Sequence, residues 1–311
     1  MKRSIIPPFL ERGSGIAIVA PSRHAQTHVV ELAESWIKKQ GWVPFRAPNL
    51  GAQKNQFGGT DEQRSNDFNW AISNPDVHAI WSIRGGYGAV RMVDQINWKN
   101  IQKQPKWIIG FSDFTVLLSH SITNEISGVH SWMPLQIPLL SNKSLDGLAD
   151  LLRGKPNVLQ AKHNSINHHG TTIGRLVGGN LSVLYSLLGS PSFPKLDGCI
   201  LALEDLDEYK YHIDRMMNAM RRSQIFNHLS GVVIGSFSDI KDNEQEFGQE
   251  VYEIIKANIP SSIPIGVDLP FGHTAENEPF INGFNYQLEV NESGSRLEPL
   301  PFAFKNESAK K

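Results

Sequence analysis

The sequence predicts an α/β protein in two parts: a parallel-sheet domain over 1–140, a polar linker over 141–172, and a strand-rich domain over 173–311. Three observations predict this. Short apolar strands alternate with amphipathic helices in the first half, as in a parallel sheet with helices on its faces. Order weakens after about Leu140, and the second half is richer in short strands.

In the first half, "GIAIVA" reads as a strand ending at Pro21. "HVVELAESWIKKQG" has Val29, Leu32, Ala33, Trp36 and Ile37 at helical spacing, with Gly41 placed to end the helix. "DEQRSNDFNWAIS" reads as a second helix, "HAIWSI" as a strand, "GAVRMVDQI" as a third helix and "KWIIG" as a strand. "SNKSLDGLADLLRGKP" can hold one short helix, while "AKHNSINHHG" is polar and punctuated. Further strands are read at "TIGRLVGG", "CILALE", "GVVIGSF", "IPIGVDL" and "YQLEV". In "YHIDRMMNAMRR", Ile213, Met216, Met217 and Met220 follow i, i+3, i+4, i+7, the stripe of a helix facing a core.

Composition narrows the function classes. A net charge of -1 gives no electrostatic reason to expect nucleic acid as a partner. The N-terminal apolar run is broken by Pro7 and Pro8, which argues against a secretory segment. No run of about 18 apolar residues suggests a membrane span. The single Cys199, in an apolar strand, fits a reducing compartment, so the expected location is the cytoplasm.

"WIIGFSDFTVLL" places Ser112 at a strand-to-helix turn. Such a serine is either a helix cap or a nucleophile raised above the sheet edge. A seryl nucleophile needs a base, and the base an orienting acid. Glu204 ends the apolar run of "CILALEDLDEY", and His273 follows the strand of "IPIGVDLPFGHTAENEP". Each alone could be a helix-start carboxylate or a turn histidine; three strand ends offering Ser, Glu and His are more simply a catalytic site. The glycine loop "SIRGGYGAVR" could aim backbone N–H groups at a developing oxyanion. As a dinucleotide fingerprint it lacks the third glycine and the distal acid. His168 and His169 cannot both face one ion from a regular strand, and there is no H-E-x-x-H or cysteine cluster, so neither metal nor cofactor is expected.

With these motifs the chain resembles the LD-carboxypeptidase family, serine peptidases that trim murein tetrapeptides, together with relatives that confer microcin C immunity. The resemblance runs from about Ile16 to Gly283 through "IVAPS", "IRGGYGAVRMVDQI", "IIGFSDFTVLL", "GRLVGGNLSVL", "LALEDLDEYKYHIDRMM" and "FGHTAENEPFINGF". It implies a flavodoxin- or Rossmann-like N-terminal domain carrying the serine and a β-rich α/β swivelling domain carrying acid and base. The family triad falls on Ser112, Glu204 and His273. The oxyanion donors fall on the backbone of Asp113 and of Gly85 or Gly86. Arg84 suits a substrate carboxylate, since a guanidinium fork matches that group. Tyr87, His130 and Trp132 are the other substrate-side candidates. "GVHSWMP" departs from the family's frequent His-Gly-Pro at Ser131 and Trp132. The resemblance further implies a homodimer and release of a terminal D-amino acid in peptidoglycan recycling. An amidase for aminoacyl-sulfamoyl nucleotides and a non-catalytic binding module are the alternatives.

Overall fold

The computed structural model describes residues 4–302. Its first sheet is built from β1 (Gly15–Val19), β2 (Val43–Arg46), β3 (Val77–Ser82), β4 (Trp107–Gly110) and β5 (Gly128–His130), all parallel. α1 (Thr27–Lys39), α2 (Asp61–Ser73), α3 (Trp98–Lys103) and α4 (Thr115–Thr123) connect them. Strands β1 and β4 are buried along their whole length, as strands covered on both faces must be. The apolar stripe of α1 buries Val29, Val30, Ala33, Trp36 and Ile37. Thr60 starts α2 with a capping box: its hydroxyl accepts from Gln63 N at 3.1 Å, and the Gln63 side chain accepts from Thr60 N at 2.9 Å.

The second sheet holds β6 (Leu159–Lys162), β7 (Gly170–Asn180), β8 (Cys199–Leu206), β9 (Gly231–Ser238) and β10 (Ile265–Gly266). α5 (Asn142–Leu152) packs in the core of the first sheet, while α6 (Leu181–Ser186), α7 (Lys210–Arg222) and α8 (Val251–Asn258) cover the second. β7 to β10 run parallel. A late hairpin of β12 (Asn285–Asn291) and β13 (Gly294–Pro299) inserts antiparallel between β7 and β6. The methionine stripe of α7 is core, as its spacing predicts, with Ile213, Met216, Met217 and Met220 all buried.

Between these halves, β11 (Phe280–Asn282) returns to the first sheet and pairs antiparallel with β5. The sheet orders are therefore β11-β5-β4-β3-β1-β2 and β10-β9-β8-β7-β12-β13-β6. A second tie joins the end of β7 to α4: Asn180 N donates to Thr115 Oγ1 at 3.2 Å. Gly179 makes this approach possible, because a Cβ there would lie 2.7 Å from the same oxygen.

The structure corrects three expectations. The stretch 141–172 is no linker: it supplies α5, the edge strand β6 and the start of β7. "GAVRMVDQI" forms two 3-10 turns, Ala89–Arg91 and Val93–Gln95, separated by Met92 at φ -121°. Of "IPIGVDL", only Ile265 and Gly266 enter the ladder.

Candidate active site

The turn after β4 is shaped by its side chains. Gly110 admits the Phe114 ring, which a Cβ would approach to 2.7 Å. Phe111 is extended, and Ser112 then takes φ 60°, a left-handed conformation that costs a non-glycine residue about 1 kcal/mol or more. Ser112 is not a cap, because no side chain caps either the 3-10 turn it begins or α4. Its hydroxyl lies against Gly85, where a Cβ would sit 3.1 Å from Ser112 Oγ.

Asp113 holds the neighbouring loops together. Its buried carboxylate accepts from Ser22 Oγ at 2.5 Å and from Ala89 N at 2.9 Å, joining the turns after β1, β3 and β4. Burial raises its pKa above the ordinary carboxylate value, and these two bonds offset part of the rise.

Glu204 sits inside β8, fully buried and paired with Asn180 of β7. A bulge lies opposite: Leu203 pairs with Ile234 but Asp205 with Phe237, so β9 carries one residue more than β8 here. The extra length lets Ser236 N donate to Phe271 O at 2.9 Å, drawing the segment beyond β10 across Glu204. Gly272, at φ 115°, crosses where a Cβ would lie 3.1 Å from Glu204 Cβ. The next residue delivers its imidazole, with His273 Nδ1 2.7 Å from Glu204 Oε2. The His273 ring packs on Phe111, the residue before Ser112 in the chain, with centroids 4.5 Å apart.

The electrostatics suit an acid-oriented base. Burial alone would raise Glu204, but the facing His273 and His130 imidazoles outweigh it and hold the carboxyl at about 2. Burial alone would lower His273, and the Glu204 carboxylate reverses that, raising it above the ordinary imidazole value. An ionised Glu204 places the His273 proton on Nδ1 and leaves Nε2 as the basic nitrogen. Asp205 points the other way and accepts from Asn180 Nδ2, Ser182 N and Leu206 N. Burial and then the Glu204 charge push it up to about 7.

The substrate-side candidates divide. Arg84 is half-buried beside the glycine loop, and burial followed by the nearby Arg23 charge lowers its pKa. Its Nε has no hydrogen-bond partner among the described residues. Tyr87 is 47 % exposed, next to Phe57. Two expectations are corrected. Trp132 is fully buried, its Nε1 donating to Ser144 O at 2.8 Å and its ring packed on Trp36 and Trp81, so it offers a ligand no face. His130 is equally buried, stacked on Phe280 behind Glu204. Its Nε2 lies 3.9 Å from Glu204 Oε1, too far for a hydrogen bond.

Sequence reasoning missed Ser22 and Arg23 at this site. The Arg23 stem covers Gly86, whose Cβ would meet Arg23 Cδ at 2.6 Å. Their position just past the strand end of "GIAIVAPS" was the available signal.

A serine on a strained strand-to-helix turn, and an imidazole held by a buried carboxylate and packed on the residue before that serine, are the parts of a serine hydrolase. Comparison with known proteins carries this further. Residues 16–131 match the LD-carboxypeptidase N-terminal domain and residues 173–288 the LD-carboxypeptidase C-terminal domain. The murein tetrapeptide carboxypeptidase of Pseudomonas aeruginosa is 30% identical over 289 residues, 89% of this chain and 93% of that protein. The muramoyltetrapeptide carboxypeptidase of Oxalobacter formigenes superposes with TM-score 0.85 at 26% identity, covering 93% of this chain and 99% of that one. The microcin C7 self-immunity protein MccF also reaches TM-score 0.85, covering 96% of this chain and 99% of that one; at 19% identity it shows a shared fold. The chain belongs to the LD-carboxypeptidase family and is a serine-type carboxypeptidase.

Proposed function

We propose that the protein hydrolyses the L,D-peptide bond of a murein tetrapeptide and releases its terminal D-alanine during peptidoglycan recycling. The observation that supports the reaction type is the Glu204–His273 contact of 2.7 Å, with the His273 ring packed on Phe111, the chain neighbour of the strained Ser112. Near full-length similarity to a murein tetrapeptide carboxypeptidase supports the substrate class.

In this reading Ser112 Oγ attacks the carbonyl carbon while His273 Nε2 takes its proton. Glu204 keeps the imidazole in the required tautomer and stabilises the imidazolium. The tetrahedral oxyanion faces backbone N–H groups of Asp113 and of Gly85 or Gly86. The imidazolium then protonates the departing amine of D-alanine, and water, deprotonated by His273, releases the acyl group from Ser112. Arg84 holds the substrate's terminal carboxylate, a group its partly buried guanidinium would pair with strongly. The buried Trp132 argues against the nucleotide-amidase alternative, for which it was the stacking candidate. A cytoplasmic homodimer completes the proposal; light scattering measures the assembly and cell fractionation the location.

The test is mass spectrometry of a muropeptide tetrapeptide incubated with wild-type protein and with Ser112→Ala. Loss of one D-alanine with wild type alone is expected, since removing a nucleophile costs several orders of magnitude. Full activity in Ser112→Ala would sink the assignment of the nucleophile. No cleavage by either protein would sink the substrate and turn the assay to aminoacyl-sulfamoyl nucleotides.

A further inference from the structure

We propose that His163, His169 and Glu292 form a binding site for a divalent first-row transition ion of the zinc type, remote from Ser112 and structural in effect. Their donor atoms all lie within 4.8 Å of one another, with His169 Nδ1 3.8 Å from Glu292 Oε1. Two imidazoles and one carboxylate are a recurrent zinc set, and water fills the fourth position. All three side chains are exposed, so small rotations of their own side-chain angles can close the donors onto an ion.

The fold brings the three together through backbone register. His163 follows β6, whose Lys162 pairs with Gly294 at the start of β13. His169 precedes β7, whose Gly170 pairs with Val290 near the end of β12. Glu292 lies in the turn between β12 and β13, so one hairpin turn meets both histidine-bearing strand ends. Gly294 seats that turn directly on the β6 backbone, since a Cβ there would collide with Ala161 O and come within 3.0 Å of His163 N. The loop between the histidines is also fixed. Asn164 Nδ2 donates to Asp268 Oδ2 at 2.7 Å, and Val267 N donates to Asn167 Oδ1 at 3.1 Å. His168 exchanges backbone hydrogen bonds of 3.0 and 3.1 Å with Ile265. Backbone held this way lowers the ordering cost of binding.

Adjacency of His168 and His169 argued against a shared ion in the sequence, and only His169 takes part here. Its partners lie six residues earlier and on a hairpin more than a hundred residues later. The site is far from the candidate active site: β7 runs from Gly170 to Asn180, and Asn180 pairs with Glu204. At about 3.3 Å per residue the two sites lie roughly 30 Å apart along that strand. The ion therefore ties β6, β7 and the hairpin together without touching the candidate catalytic residues.

The experiment is isothermal titration of the untagged full-length protein with zinc chloride, with thermal unfolding in parallel. One saturable equivalent is expected, weakened at least tenfold in each of His163→Ala, His169→Ala and Glu292→Gln. His228→Ala, which removes an exposed histidine elsewhere, should leave it unchanged. Zinc should raise the Tm of wild type and not of His163→Ala. Absence of a saturable equivalent, or equal affinity in all variants, overturns the proposal. Neither outcome bears on the assignment of Ser112.

Discussion

His273 Nδ1 and Glu204 Oε2 are 2.7 Å apart although they lie on different strand ends, Glu204 within β8 and His273 seven residues beyond the last residue of β10. The bulge opposite Glu204 and the bare backbone of Gly272 make the contact possible. Because Glu204 has no exposure, its charge is barely screened by solvent, and it governs how readily His273 takes a proton.

Glu204→Gln should lower kcat by about three to four orders of magnitude, the scale seen when a triad acid is neutralised. It should also move the pH profile. The base must be neutral, so activity rises with pH through the raised His273 value. Without the Glu204 carboxylate the lowering effect of burial is opposed only by the weaker Asp205 charge, and the acid limb shifts to lower pH. The stability linkage has the opposite slope: a raised imidazole stabilises the fold fully below its unfolded value, and this is lost as pH rises through the folded value. A pH series of kcat/KM for both proteins tests the first, and urea unfolding across the same window the second.

Gly85→Ala should act on chemistry more than on stability. The added methyl would sit 3.1 Å from both Cβ and Oγ of Ser112 and 3.3 Å from Met133 Cε. Displacing the hydroxyl by a fraction of an ångström should cost about tenfold to a hundredfold in kcat. Steady-state kinetics beside a melting curve separates the two effects. A variant with unchanged kcat would mean that the Met133 methyl yields instead.

Ser22→Ala removes the Ser22 Oγ hydrogen bond to the buried Asp113 carboxylate and leaves that from Ala89 N. The expected loss is about 1–3 kcal/mol, the range for a buried polar group deprived of a partner. Denaturant unfolding measures it. Since Asp113 also holds the Ala89 turn, a smaller fall in kcat should accompany it.

Trp132→Phe should destabilise without changing substrate affinity. It deletes the bond to Ser144 O and leaves a gap against Trp36 and Trp81, together worth about 2–3 kcal/mol. KM should stay within about twofold, because small effects on binding are expected of a residue with no accessible face. A large rise in KM with unchanged stability would contradict the buried placement.

Much of this was legible in the sequence because each element announces itself locally. α2 occupies the predicted stretch from Asp61 to Ser73, where Thr60 and Gln63 supply a start signal that depends on no distant contact. Glu204 and His273 could be singled out as candidates because each follows an apolar stretch that reads as a strand. What stayed hidden depends on tertiary neighbours. β6 is a short edge strand, and β11 has three residues, too few to show a period. His130 and Trp132 lie close to the candidate site in sequence order, yet motif position says nothing about burial. Three aromatic rings and a carbonyl claim the surfaces a ligand would need. The turns at Ala89–Arg91 and Val93–Gln95 carry helical spacing, but Gly88 at φ 139° enters them from a conformation that starts no helix.

The return of β11 to the first sheet sets an order of events during synthesis. Until Asn282 has left the ribosome, β5 remains an edge with unpaired N–H and C=O groups, a template for pairing with other chains. The N-terminal half thus cannot complete its own sheet on a nascent chain, even though its helices and four central pairings are already encoded. A gene truncated between codons 131 and 279 would yield a fragment whose β5 edge is left open for pairing with other chains.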